Sequence, residues 1–250
     1  MNNPTNTSKR MPVWPQLYLL LTLAVMVFGF YKAMTAPTEA TMGNLYRIFF
    51  YHLPHTILSF LFPYLNCAAS LLYLFWRTKN PSRAQAADAF ALAAAEITVL
   101  YATVGLVTGM LWGRAAWGIW WTWDARLTTY LLLWLLYVSY ILLRRFSGDG
   151  HGSSNTAILA AALAIFAAID IPICFMSIRW WRTQHPAPVF GGGADSGLDP
   201  SMYPAVLWNM LAFALWGAFI LGWRFALEHR RQQARTDFSF NYLSNPPESL

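Results

Sequence analysis

Residues 89–111 read AFALAAAEITVLYATVGLVTGML, and residues 112–128 that follow read WGRAAWGIWWTWDARLT. The first stretch carries a single charged residue, Glu96. Wound as an α-helix at about 1.5 Å per residue, it is long enough to cross a hydrocarbon core of about 30 Å. A helix is also the one local conformation that satisfies its own backbone in lipid. Five more apolar stretches of similar length flank it, at about 14–34, 54–76, 127–143, 156–178 and 204–223. Together they predict an all-α, polytopic bundle of six transmembrane helices, formed as a single integral-membrane domain over residues 1–250. The first stretch is longer than a signal-peptide core and is read as a retained helix.

Composition agrees with this reading. The chain is 57% hydrophobic, 17% aromatic and only 11% charged, against about a quarter charged in soluble domains. The net charge of +6 does not indicate nucleic acid, because the basic residues cluster beside the apolar stretches, where they act as topology signals. One set of connections holds eleven of them: Lys9, Arg10, Arg77, Lys79, Arg83, Arg144, Arg145, Arg224, Arg230, Arg231 and Arg235. The opposite set holds six: Lys32, Arg47, Arg114, Arg126, Arg179 and Arg182. The positive-inside bias puts both termini in the cytoplasm and turns three loops outward, at about 35–53, 112–126 and 179–203. The polar tail at about 232–250 reads as disordered, and Gly191–Gly193 as a flexible stretch of the third loop. Cys67 and Cys174 lie in apolar stretches without CxxC spacing, so neither a redox pair nor a metal knuckle is indicated.

The outward loops contain seven of the thirteen tryptophans. One isolated Trp ordinarily marks the headgroup belt. Trp112, Trp117, Trp120, Trp121 and Trp123 instead crowd into twelve residues, interleaved with glycines and followed by Asp124 and Arg126. Glycine lets backbone approach a flat ligand, and indole faces offer a broad, rigid apolar surface with an N–H handle. That combination suits a large planar ligand with acidic groups. The first loop ends Tyr46-Arg47-Ile48-Phe49-Phe50-Tyr51-His52-Leu53-Pro54-His55, and the third begins Arg179-Trp180-Trp181-Arg182-Thr183-Gln184-His185. A lone interfacial histidine is ordinarily a hydrogen-bonded polar residue. Two of them bracketing a tryptophan shelf fit axial ligation of a porphyrin iron, with Arg47 and Arg126 available for its carboxylates. His55 competes with His52 but should enter the helix and point along it. His151 and His229 fall on the opposite side.

The stretch 112–128 resembles the tryptophan-rich WWD signature of haem-handling membrane proteins. With six spans and two flanking histidines, the chain resembles the cytochrome c maturation protein C family over roughly residues 14–225. The family's His-hydrophobic-Pro pattern is matched by His52-Leu53-Pro54. Its Trp-Trp-x-Thr-x-His pattern is matched by Trp180, Trp181, Thr183 and His185. The resemblance implies a non-enzymatic, multi-pass protein of the bacterial inner membrane. It would bind haem b non-covalently at the periplasmic face, with His52 and His185 on the iron and the WWD tryptophans cradling the ring. The implied partners are a periplasmic, membrane-anchored haem chaperone, a pair of ATP-binding cassette subunits and a small single-span subunit.

Two other readings compete. A haem lyase of the same superfamily would carry additional histidines within the membrane, and no histidine falls in a span interior. A small-molecule transporter would need polar or broken-helix features at mid-depth, for which Glu96, Asp170 and Pro172 are the candidates. Neither acid has an obvious basic partner in a neighbouring span. Both are expected to face the bundle and join helices by hydrogen bonds.

Overall fold

In the computed structural model, which describes residues 13–146, 154–186, 188–190 and 197–244, each of the six apolar stretches forms a helix. They are α1 (Val13–Thr35), α2 (Phe49–Trp76), α3 (Pro81–Trp117), α4 (Ala125–Phe146), α5 (Ser154–Trp180) and α6 (Tyr203–Ser244). All six are long and apolar enough to cross a membrane, and the chain is a multi-pass membrane protein. Short 3-10 turns at Asn44–Ile48 and Pro200–Met202 lead into α2 and α6. Residues 1–12, the Gly191–Gly193 stretch, His151 and residues 245–250 lie outside the described residues.

Several boundaries differ from the sequence expectation. The helix α3 has 37 residues and α6 has 42, about 55 and 63 Å at 1.5 Å per residue, so both outrun the hydrocarbon core. Hydropathy marks only the part of a helix that sits in lipid, whereas backbone hydrogen bonding continues wherever good helix formers follow. Ala84, Gln85, Ala86 and Ala87 extend α3 toward its start in this way. There the Asn80 side chain accepts from the Arg83 N–H at 3.0 Å, with Pro81 in the first turn. The arginines, glutamines and alanines after Trp223 likewise carry α6 to Ser244, so residues 232–244, expected to be disordered, are helical. Pro172 does not interrupt α5.

The helices α2 and α3 form the centre. On one side α1 packs on α6, and on the other α4 packs on α5; α2 also meets α5 and α6, and α3 meets α4 and α6. Small residues let the central helices approach: Ala89, Ala91, Ala93, Ala94, Ala95 and Ala102 of α3 are buried, as are Ala160, Ala164 and Ala167 of α5. Polar groups then bridge helices through their backbones. The Asn66 amide donates to Ala91 O at 2.7 Å, Tyr101 Oη to Phe213 O at 2.7 Å, and the Asn209 amide to Gly29 O at 2.8 Å. Leu17, Leu20, Leu21 and Val27 on α1 are exposed, the pattern of a lipid-facing surface.

Ion pairs were largely missed by the sequence reading. Glu96 does have a basic partner: Arg224 of α6 donates Nε to Oε2 at 2.6 Å and Nη2 to Oε1 at 2.8 Å. Arg144 grips Asp88 in the same two-toothed way at 2.7 and 2.6 Å, nearly sealed from solvent. The missed signal was helical length. Arg224 and Asp88 lie outside the most apolar windows yet still on α6 and α3, facing their partners. Asp170 is buried, and its Oδ2 makes no hydrogen bond among the described residues.

Candidate functional site: a histidine and tryptophan cleft

At one end of the bundle the start of α2, the end of α3, the start of α4 and the segment after α5 enclose a cleft. It holds about 520 Å³ of atom-free space, its open mouth included. His52 and His185 both line it, together with Trp112, Trp117, Trp121 and Arg126. Its deeper wall is made by Thr56, Gly105, Gly109 and Tyr130.

His52 lies in the first turn of α2, not in a loop, because the helix already begins at Phe49. Its Nδ1 is 3.0 Å from Thr108 Oγ1. The Thr108 hydroxyl donates its one proton to Val104 O at 2.6 Å, so it can only accept from the ring. That assigns the proton to Nδ1 and leaves the Nε2 lone pair of His52 bare. Gly109 makes room for the ring: a Cβ there would stand 3.2 Å from His52 Cε1. Gly105 does the same for Tyr130, whose hydroxyl would collide with any side chain at that position.

His185 reaches the cleft from the irregular, bent segment after α5. Its Nδ1 is 2.9 Å from Pro186 O, and its backbone N–H donates to Thr183 Oγ1 at 3.1 Å. A carbonyl only accepts, so Nδ1 again carries the proton and Nε2 is again bare. Desolvation and then the Arg126 cation push the His185 pKa down to about 4, although the Pro186 carbonyl and the Asp124 carboxylate pull it up. The ring is therefore neutral at physiological pH. Both histidines thus present the same unprotonated nitrogen, each held from behind by a hydrogen bond, as metal-binding imidazoles usually are.

Arg126, 8% exposed, completes the polar part. It donates to Cys174 O and lies over the Phe60 ring at 5.4 Å. Among the described residues it forms no ion pair with a carboxylate. The buried Trp121 Nε1 also has no acceptor. A nearly buried guanidinium without a carboxylate and an indole N–H without an acceptor, among the described residues, suit an acidic ligand.

Not every residue singled out from sequence lines the cleft. Trp112 and Trp117 do, but they ride on the last turns of α3, which extends to Trp117 and ends where Gly118 turns to φ 76°. Trp120 and Trp123 are 56% and 75% exposed and sit outside the lining; Trp123 stands edge-on to Trp121 at 5.6 Å. Asp124 does not line the cleft either. Its Oδ1 accepts from the Leu127 N–H at 2.9 Å and its Oδ2 from the Thr122 hydroxyl at 3.3 Å, which makes it the N-cap of α4. The signature acid therefore shapes the turn that aims Trp121 and Arg126. Arg47 is turned away: it donates to Ala33 O and to Asn44 Oδ1 at 3.3 Å. His55, one turn further along α2, lies outside the cleft lining, between Tyr101 and Phe213 at ring distances of 5.1 and 4.2 Å, with Nδ1 bound to Tyr51 O. Thr108, Gly105, Gly109 and Tyr130 were missed. A run of small and hydroxyl residues at helical spacing opposite His52 was the available sign.

Comparison with known proteins gives one consistent result. The family model described as Heme exporter protein C matches residues 1–239. Among curated relatives, Heme exporter protein C of Bradyrhizobium diazoefficiens is 38% identical over 195 residues, covering 78% of this chain and 70% of that protein. Its namesake in Escherichia coli K12 is 33% identical over 191 residues, 76% of this chain and 71% of that protein. A Marchantia polymorpha protein named as a putative cytochrome c biosynthesis ccmC-like mitochondrial protein is 35% identical over 187 residues, covering 74% of this chain and 75% of that protein.

Proposed function

The chain belongs to the Heme exporter protein C family, and from that premise we propose that the cleft binds haem b non-covalently as cargo and presents it for c-type cytochrome biogenesis. The observation that carries this reading is the pair of bare Nε2 atoms, one on His52 and one on His185, lining a single tryptophan-walled cleft. Neutral imidazole is a standard haem ligand, and two of them fill both axial positions. The residues fit the group. Trp112, Trp117 and Trp121 supply apolar surface, and Arg126 is free to take a propionate. Arg47, bound to Ala33 O and Asn44, has no part in it.

The basic-residue bias supports an orientation with both termini in the cytoplasm and the cleft at the periplasmic face of a bacterial inner membrane. Exposed Trp120, Trp123, Trp180 and Trp181 lie beside the cleft-forming segments. They form the edge against which a membrane-anchored periplasmic haem chaperone would take the cargo. An ATP-binding cassette pair and a small single-span subunit complete the assembly that the family resemblance implies. The protein acts by holding and handing over, without turnover chemistry of its own. Against a midplane transporter, Glu96 is committed to Arg224.

The purified protein should show the Soret and visible bands of low-spin, bis-imidazole haem. The His52→Ala and His185→Ala variants should each lose that signature, and His55→Ala should keep it. Unchanged spectra in both of the first two variants would refute the ligand assignment.

A further inference from the structure

At the end of the bundle away from the cleft, α4 and α6 both lean on α3 and barely touch one another. The gap between them is a cavity of about 750 Å³ of atom-free space, its open side included. Its polar lining is Glu96, Arg144, Arg145, Arg224, Glu228 and Arg231, four cations against two anions. Leu92 and Ile141 form an apolar wall. Two arginines are committed, Arg224 to Glu96 and Arg144 to Asp88. Arg144 is nonetheless only 1% exposed and its Nε–H has no hydrogen-bond partner among the described residues. Arg145 and Arg231 are exposed and form no ion pair among the described residues.

The Glu96–Arg224 pair leaves 24% and 34% of its side chains exposed. A partly open ion pair on membrane-spanning helices is costly against acyl chains and needs polar surroundings. The cavity offers them, at the level of the last turn of α4, where a span of 22 residues reaches the headgroups. Basic pockets between helices on this side of a membrane attract acidic lipid headgroups.

We propose that this cavity between α4 and α6 is a binding site for the phosphate headgroup of an acidic phospholipid of the inner leaflet. Arg145 and Arg231 contact the phosphate, and an acyl chain runs along Leu92 and Ile141. The site is separate from the cleft: the two share no lining residue, and Glu96 and Gly105, which come nearest along α3, are nine residues apart, about 13 Å. Only the choice of leaflet rests on the orientation proposed above, and reporter fusions test that independently.

The test uses the full chain reconstituted in nanodiscs of equal phosphatidylglycerol and phosphatidylcholine, then native mass spectrometry of the lipid it retains. The wild type should keep phosphatidylglycerol selectively, and Arg145→Gln/Arg231→Gln should lower that retention roughly tenfold or more. Lys79→Gln/Arg83→Gln, an equal charge change at the same end, should leave it intact. Haem spectra should be unchanged in both variants, which separates this site from the cleft. Four results would each overturn the proposal: equal retention of phosphatidylcholine, equal loss in the Lys79/Arg83 variant, displacement of the lipid by millimolar inorganic phosphate, or loss of haem from the Arg145/Arg231 variant.

Discussion

The two ends of the bundle treat their charged and polar groups in opposite ways. Away from the cleft, two carboxylates are matched: buried Asp88 is gripped by Arg144 and also accepts from the Gln232 amide at 2.9 Å, and half-buried Glu96 is gripped by Arg224. At the cleft end, among the described residues, Arg126 has no carboxylate, Trp121 Nε1 has no acceptor, and two imidazoles keep a bare nitrogen. Buried polar groups are normally satisfied, and those left over mark where a ligand belongs. The difference teaches that matched carboxylates mark the end away from the cleft, where cations are left over among the described residues (the Arg144 Nε–H, Arg145 and Arg231). The cleft end instead leaves a cation, an indole N–H and two imidazole lone pairs for its ligand.

That contrast can be broken most forcefully at the matched end. Asp88→Ala should strip Arg144 of its partner and leave a buried cation uncompensated. The expected cost is about 3–5 kcal/mol of stability, read as a lower thermal midpoint in detergent. Haem bound per folded molecule should not change. A loss of haem without a loss of stability would erase the distinction between the ends.

At the open end, Arg126→Gln should leave the fold intact but weaken haem binding by about 1.5–3 kcal/mol, the size of a hydrogen bond to a charged group. It should also move a pH boundary. Burial and then the Arg126 cation push the His185 pKa down to about 4, below the ordinary 6.5. Ligation needs the neutral ring, so haem affinity should be level from pH 8 down to about 5 and fall as pH approaches 4. Removing the cation raises the pKa and shifts the fall to higher pH. A titration of the Soret band in both proteins reads the shift; coincident curves would separate Arg126 from His185.

Thr108→Val removes the acceptor that fixes the His52 tautomer. Partners of this kind are worth roughly 10–100-fold in metal affinity, and a loss at the low end is expected because Gly109 and the helix still limit the ring. Thr108→Ser should keep binding, whereas a merely space-filling role would let the isosteric Val keep it and the smaller Ser lose it. The smallest effect is expected from Asp124→Ala. An N-cap loss costs about 1 kcal/mol, visible as a modest drop in thermal midpoint with the haem bands retained. If Asp124→Ala instead abolished haem binding, the acid would be a ligand-contacting residue and its capping role incidental.

How much was legible in advance varies by residue. The existence and number of the spans followed from composition, because a helix in lipid needs a long run of apolar side chains. The pairing of His52 with His185 was also expected, from a tryptophan shelf bracketed by histidines, and the cleft brings both together. Asp124 and Arg47 were assigned to the ligand, and neither lines the cleft. A carboxylate three residues before a helical N–H is as good a cap as a contact, and an arginine near a carbonyl is easily captured by it. Such choices depend on where a side chain points, which spacing along the chain does not specify.

By itself the sequence determined that this chain has six spans long and apolar enough to cross a membrane, with a tryptophan cluster and two histidines near the junctions between them. These are consequences of local chemistry: apolar length, basic flanks and residue type. Only the tertiary structure decided that His52 and not His55 faces the cleft, that Nδ1 of each site histidine is occupied, and that Glu96 finds Arg224 across 128 positions. Those outcomes depend on which helix faces meet, and that is fixed by packing the whole bundle at once.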